Sequence, residues 1–314
     1  MIGAATTGSR EARDGAPTRL PDATGCLSVA VVFATRGRPS VLAQVVELLA
    51  NQRRSPDKVV VSCVTPTDVG SLLDAPHVDI VYGPPGAAQQ RNTALEYLAG
   101  RFDVVVFFDD DFVPREDWLE AAVRVFENWP DVVALTGTVA QDGIKGPGLS
   151  VPYALSVLSR TVQTDQLDVR ERAVPYGCNM AFRTAALAGM RFDPRLIRYS
   201  WLEDRDLGMA LINRGLRSVQ VSTAVGVHLG AKGARMPGRM LGYSQVINPL
   251  YLWRKGTMTA GEVAGHIGRN MASNLGRALV PEPWIDRRGR LLGNLAGLVD
   301  AARGRLDPER AERI

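Results

Sequence analysis

The chain has 314 residues, 46% of them hydrophobic and 22% charged, with a formal charge of +4. This is the balance of a globular protein with a sizeable core, as one large domain or a domain plus an appendage, and it excludes a low-complexity chain. Cys26, Cys63 and Cys178 are scattered without metal-ligand spacing, and no apolar stretch reaches the roughly 18 residues of a membrane span, which argues against both a disulfide framework and a transmembrane protein.

Residues 1–25, rich in Gly, Ala, Thr and charged residues, lack the order of a secretory leader and are expected to be a disordered tail. A cytoplasmic protein, soluble or peripherally attached, is the expectation. Strand and helix signals then alternate. Residues 27–34 read as a buried strand, and 40–51 as a helix with Val41, Val45, Leu48 and Leu49 on one side. Strands follow at 58–64 and 78–82, a helix at 88–98 and a strand at 103–108. Trp118, Ala122, Val125, Phe126 and Trp129 recur at helical spacing, so 115–129 is a helix with an aromatic packing stripe. After a strand at 132–139, the stretch 141–172 is poorly periodic and holds Gly143, Gly146, Pro147 and Gly148. It is expected to be a mobile loop followed by a short helix, either a lid or an ordinary surface loop. A strand-like run at 176–183, a helix at 201–213 closed by Gly215, and a strand at 217–227 complete an α/β domain with a largely parallel sheet.

Beyond Gly256 the pattern changes. Thr259 and Glu262 form a capping-box signature ahead of Val263, Ile267, Met271 and Leu275, which recur every four residues. After Pro283, Leu291, Leu292, Leu295, Leu298, Val299 and Ala302 are apolar, while Arg287, Arg288, Arg290, Arg303 and Arg305 are polar. Packing on the domain is expected for the first helix. For the second, packing and a membrane-interface position both stay open. The segment from Arg235 onward is rich in Arg, which suits an anionic membrane surface, an anionic substrate or a solvated basic face. The expected organisation is a tail at 1–25, a catalytic domain at 26–234 and a helical extension at 235–314.

Residues 104–111 carry the strongest chemical signal: Val-Val-Val-Phe-Phe ends abruptly in Asp109, Asp110 and Asp111. Adjacent carboxylates repel, and a hard divalent cation neutralises them; a lone Asp there would read as a solvated turn. The carboxyl ends of strands are also where open α/β sheets bind ligands. Arg36 and Arg38 follow the first strand, where an Arg fork suits a diphosphate or a nucleobase edge, or is simply solvated. Gly83-Pro-Pro-Gly86 feeds a helix start carrying Arg91 and Asn92, a place for an anion. Neither G-x-G-x-x-G nor G-x-x-x-x-G-K-[ST] occurs. Gly177-Cys178-Asn179 reads equally as a core strand near a bend. Glu203-Asp204 suits a general base as well as a helix-dipole pair, and His228 follows a strand as a candidate metal ligand.

Taken in order, Thr35-Arg36, Arg91-Asn92, Phe107 to Asp111, Gly177-Cys178-Asn179, Glu203-Asp204 and His228 resemble the inverting family-2 glycosyltransferases with the GT-A fold, from about Ser28 to Lys232. The resemblance implies a Rossmann-like, mostly parallel sheet flanked by helices, with the C-terminal amphipathic helices appended. It implies that Asp111 is the direct ligand of Mg²⁺ or Mn²⁺, that Asp109 and His228 belong to the same metal or diphosphate site, and that Asp109 and Asp110 meet the donor ribose or a metal-bound water. Thr35, Arg36, Arg38, Arg91 and Asn92 would line the nucleotide pocket. Many members keep an acid just after the second strand for the nucleobase; here that place reads 62–68, with Asp68 further along as the candidate. Asp204 would be the catalytic base, and Glu203 would orient base or acceptor.

The implied activity is metal-dependent inverting transfer from a nucleoside-diphosphate sugar to a hydroxyl of a glycan or lipid-linked acceptor, in polysaccharide biosynthesis. Nucleic acid is not an expected partner. Peripheral contact with the inner face of a membrane through the basic helices stays open beside it. The rival readings are a sugar-nucleotide pyrophosphorylase, for which the loop at 34–37 lacks a longer Gly-rich stretch, and a non-catalytic nucleotide-sugar-binding protein.

Overall fold

A computed structural model describes residues 26–172, 174–233, 236–280 and 282–314. The tail expected at 1–25 and the boundary at 234–235 lie outside the described residues. Four apolar runs form the parallel half of the sheet: β1 (Val29–Ala34), β2 (Lys58–Cys63), β3 (Val78–Tyr82) and β4 (Val104–Asp109), in the order β3–β2–β1–β4. β1 and β4 are buried on both faces, which is why they read as continuous rather than alternating apolar runs. Two crossovers contain α1 (Pro39–Leu48) and α2 (Ala87–Leu98), as parallel pairing requires.

Beyond β4 the sheet is mixed. β8 (Asn179–Arg183) runs antiparallel between β4 and β6 (Val132–Asp142), and β6 pairs in parallel with β9 (Arg217–His228). Two short strands, β5 (Phe112–Pro114) and β7 (Val169–Glu171), pair antiparallel with β9. Successive residues of β4 serve opposite faces. Phe108 stacks edge-on to Trp118 of α3 (Trp118–Asn128) at 4.7 Å, whereas Phe107 meets Phe192 at 5.3 Å in the core on the other side. The remaining helices of this part are α4 (Val151–Leu158) and α5 (Glu203–Ile212).

Two expectations are corrected here. The helix expected at 115–129 starts only at Trp118, because Phe112–Pro114 is drawn into the sheet and Arg115 clamps Asp117 and the carbonyl of Thr223. The stretch 141–172 opens in the sheet, since β6 continues to Asp142; the expected short helix is α4, and a strand that was not expected, β7, follows it.

Among the described residues the C-terminal segment holds three α-helices and a final short 3-10 helix at Pro308–Arg313. α6 (Gly238–Lys255) had no counterpart in the sequence reading, because it is buried on nearly every side and contains Pro249, Gly238 and Gly242. A helix enclosed all round shows no amphipathic stripe. α7 (Ala260–Arg277) opens with the expected capping box between Thr259 and Glu262. Its apolar stripe is buried at Val263 but 63% exposed at Leu275. α8 (Arg287–Ala302) packs on α6 through small residues: a Cβ at Gly293 would lie 2.0 Å from the carbonyl oxygen of Arg239, and one at Gly242 would lie 2.0 Å from that of Arg290. Gly293, Asn294 and Gly297 are therefore the buried face, while Leu292 and Leu295 are 57% and 48% exposed. Among the described residues no helix is long and apolar enough to cross a membrane.

Candidate active site at the switch point of the sheet

β1 lies between β2 and β4, so the chain leaves its end in one direction and returns beside it from the other. A crevice opens at such a switch point, beyond the strand carboxyl ends. Here it is a cleft of about 590 Å³ whose lining includes Thr35, Arg36, Asp68, Asp109, Asp204 and His228. The Thr35 hydroxyl donates to Asp110 Oδ2 at 2.8 Å, joining the ends of β1 and β4. Arg38 Nη1 donates to Asp110 Oδ1 at 2.8 Å and lies 3.5 Å from Asp111 Oδ2, so its guanidinium is committed to the triplet. Burial pushes the Asp110 carboxyl up to about 7, against the pull of Arg38.

β5 explains how the third aspartate meets the histidine. Phe112 pairs with His228 across β5 and β9, which places Asp111, one residue earlier, beside the imidazole. Asp111 Oδ1 is 3.3 Å from His228 Nε2, and Oδ2 accepts the Ala231 amide at 2.7 Å. Ligand atoms of Asp109, Asp111 and His228 lie within 4.8 Å of one another. Two carboxylate oxygens and an imidazole nitrogen, two of the three residues buried, fit a Mn²⁺ or Mg²⁺ ion. His228 Nδ1 is 3.0 Å from Asp142 Oδ1, and Asp142 Oδ2 accepts the Tyr176 hydroxyl at 2.8 Å. Burial lowers the affinity of His228 for a proton, but Asp111 and Asp142 outweigh it and raise the group to about 10. Asp142 escaped the sequence reading, since only the β6–β9 register, in which it pairs with His228, brings the two together.

Arg91 is 3% exposed and joins the two acidic segments. Its Nη2 donates to Asp109 Oδ1 at 2.9 Å and to the Gly177 carbonyl at 3.0 Å, and its Nη1 pairs with Glu203. The guanidinium also lies over the rings of Phe107 and Phe192. Burial pushes the Glu203 carboxyl up to about 8, with Arg91 drawing it down. The expectation for Asn92 is corrected: one position further round α2, it turns from the cleft and pairs with the backbone of Phe192 in both directions, at 2.8 and 3.0 Å. The α2 start holds no open anion site either, because Ala87 and Ala88 give their amides to the Arg198 carbonyl and the Ser200 hydroxyl. Asp68 lines the cleft, yet Oδ1 accepts the Gly37 amide at 2.8 Å and Oδ2 the Thr65 amide at 2.8 Å, so it braces the loops around it. Arg36 is exposed and has no ion pair or hydrogen bond with the described residues.

The segment before α5 is strained. Arg198, Ser200 and Leu202 all have left-handed backbone angles, and Leu202, with φ of 76°, is bulky for that region. This turn delivers Asp204 to the cleft, where Oδ2 accepts the Gly177 amide at 2.9 Å and Oδ1 the Arg205 amide at 2.7 Å. Asn179 is a core residue of β8, 0% exposed, as its structural reading had it.

The fold agrees with that of known proteins. TarS 1-349 from S. aureus superposes with a TM-score of 0.55 at 15% identity, over 90% of this chain and 83% of that one. The mannosyltransferase PcManGT from Pyrobaculum calidifontis, solved with GDP-Man and Mn²⁺, gives 0.54 at 16% identity, over 94% and 88%. The glucosyl-dolichyl phosphate glucuronosyltransferase of Haloferax volcanii is 47% identical over 59 residues, which are 19% of this chain and only 18% of that protein. The family model described as glycosyltransferase like family 2 matches residues 27–237, which hold the whole of the sheet and all but one of the residues lining its cleft. The chain has the GT-A fold and belongs to the family described as glycosyltransferase like family 2.

Proposed function

We propose that the protein transfers a sugar from a nucleoside-diphosphate sugar to a hydroxyl of a glycan or lipid-linked acceptor, with inversion, and that Asp109, Asp111 and His228 hold the divalent ion it uses. The observation that carries this reading is the convergence of Asp109 and His228 of that cluster with Asp204 on one cleft at the switch point. The GDP-Man and Mn²⁺ of the archaeal mannosyltransferase support the donor class. Bound Mn²⁺ or Mg²⁺ would supply charge neutralisation for the leaving diphosphate.

The chain's own groups do the rest. Thr35 and Arg38 fix Asp110, and Arg36 remains available to the diphosphate or the base. Asp204, aimed by the Gly177 and Arg205 amides, takes the proton of the acceptor hydroxyl. The acceptor oxygen bonds to the anomeric carbon as the bond from that carbon to the diphosphate oxygen breaks, and the nucleoside diphosphate departs. A single displacement inverts the centre. Glu203 acts through Arg91, as a positioning residue that ties the Asp204 segment to the triplet.

Thermal-shift measurements with UDP and GDP test the donor site: stabilisation is expected only with nucleotide and Mn²⁺ together. Absence of any shift, with no turnover of nucleotide sugars, overturns the reading.

Membrane contact belongs to the same proposal. Leu275, Leu279, Val280, Leu292, Leu295 and Val299 stand exposed around α7 and α8, with Arg288, Arg303 and Arg305 exposed near them. Apolar groups flanked by arginines suit an anionic lipid surface and a peripheral position on the cytoplasmic face. Flotation with anionic liposomes at low salt is the expected result, and failure to float rejects it.

A further inference from the structure

The metal cluster opens on a second side. A separate cleft of about 420 Å³ shares Arg38, Asp109, Tyr199, His228 and Met236 with the first, and its far wall is made by α7 and α8. Asn270, Ser273 and Arg277 line it from α7 at intervals of three and four residues, one helical face, and Arg287 and Arg290 line it from α8 at an interval of three. Lys145 faces them from the loop after β6, and that loop is tied down by a hydrogen bond of 3.2 Å from Trp284 Nε1 to the Lys145 carbonyl.

The charge of this cleft is one-sided. Among its described lining residues the only acids are Asp109 and Asp111, which belong to the candidate metal cluster. Glu282 serves both Arg277 and Arg287, one carboxylate for two guanidinium groups. Lys145 is exposed and has no side-chain ion pair or hydrogen bond among the described residues. A neutral glycan does not need four cations. A phosphate makes use of them, because guanidinium forks and an ammonium match its charge and its oxygens.

We propose that this second cleft is the acceptor site and that the acceptor carries a phosphate group. The inference rests on the transfer reaction proposed above. The phosphate sits among Lys145, Arg277, Arg287 and Arg290, and the reacting hydroxyl reaches past the junction at Asp109 and His228 into the first cleft, which Asp204 lines and where the donor is presented. The phosphate has two chemical sources, a soluble phosphorylated sugar or a lipid phosphate, and both use the same cations.

The test uses the full chain saturated with UDP or GDP and Mn²⁺, so that the donor cleft is filled. Calorimetric titrations then compare glucose 6-phosphate, a short-chain polyprenyl phosphate in detergent, and the matching polyprenol. At least one phosphate-bearing probe is expected to bind without displacing the nucleotide. The Lys145→Gln/Arg277→Gln variant is expected to weaken that binding about tenfold or more, since each lost charge-assisted contact carries that scale of effect. Both side chains are exposed, that of Arg277 by 58%, so the fold does not depend on them. Binding of the lipid phosphate alone assigns a lipid-carried acceptor, and binding of the sugar phosphate alone a soluble one. The proposal is overturned if neither phosphate binds, if the polyprenol binds as tightly as its phosphate, if a probe expels the nucleotide, or if the double variant binds as wild type does. Failure of the wild type to bind nucleotide with Mn²⁺ in the first step instead removes the underlying reaction.

Discussion

Arg91 Nη2 lies 2.9 Å from Asp109 Oδ1, so the first aspartate of the triplet is held from a helix and not from its own strand. The other nitrogen of the same buried guanidinium pairs with Glu203, and one side chain thereby connects the metal candidates to the segment of the proposed base.

Removing that cation takes from Asp109 and Glu203 the buried guanidinium they share. Arg91→Gln is expected to destabilise the protein by about 3–5 kcal/mol, the scale for breaking a buried ion pair on one side. Chemical denaturation measures it, and a loss below about 1 kcal/mol would contradict the account of Arg91 as a buried link.

Asp142 fixes the ring of His228 from behind, at 3.0 Å from Nδ1, leaving Nε2 toward Asp111. Partners of this kind set the orientation of a ligand without touching the ion, and their loss costs about 10–100-fold in metal affinity. Asp142→Asn should show that loss in a Mn²⁺ titration followed by calorimetry. Wild-type affinity in the variant would remove Asp142 from the site.

How much of this was legible in the sequence depends on the distance over which the signal acts. β1 through β4 and the triplet were readable because an apolar run and the acids that end it are contiguous. Asp204 was readable because two acids open a helix next to a tryptophan. Asp142 was not, because it lies 86 residues from His228 and only strand register unites them. α6 was hidden by being buried on almost all sides, and the leucines of α8 did not reveal which of its faces packs. The contact with α6 is made by glycines that permit close approach, which no hydrophobic count registers.

That glycine contact makes its own prediction. Gly293→Leu should force α8 away from α6, at a cost of about 1–3 kcal/mol or more for an overpacked contact. Leu295→Ala, at an exposed position, should stay within about 0.5 kcal/mol in the absence of lipid. Thermal unfolding of the two variants compares them, and the reverse order would place the leucine face of α8 against the protein.

The capping box of α7 gives a pH dependence. The Thr259 amide, its hydroxyl and Arg205 outweigh the opposing effect of burial and lower Glu262 from 4.5 to about 2 in the folded protein. A carboxyl lowered on folding stabilises fully above its unfolded value and loses that contribution as pH falls through the folded one. The difference in melting temperature between wild type and Glu262→Gln should therefore be constant above about pH 5 and shrink as acid is added toward pH 2. A difference that grows with acid would contradict the cap.

The central claim is that Asp204 takes the acceptor proton in a cleft where Asp111 helps hold the ion. Release of nucleoside diphosphate from UDP- and GDP-sugars, measured with an accepted acceptor and Mn²⁺, tests it in wild type, Asp204→Asn and Asp111→Ala. Asp204→Asn should lower kcat by about 100- to 10 000-fold, the range of general-base catalysis, while still binding nucleotide with Mn²⁺. Asp111→Ala should lose nucleotide binding that depends on Mn²⁺. Turnover at the wild-type rate in Asp204→Asn would contradict the account.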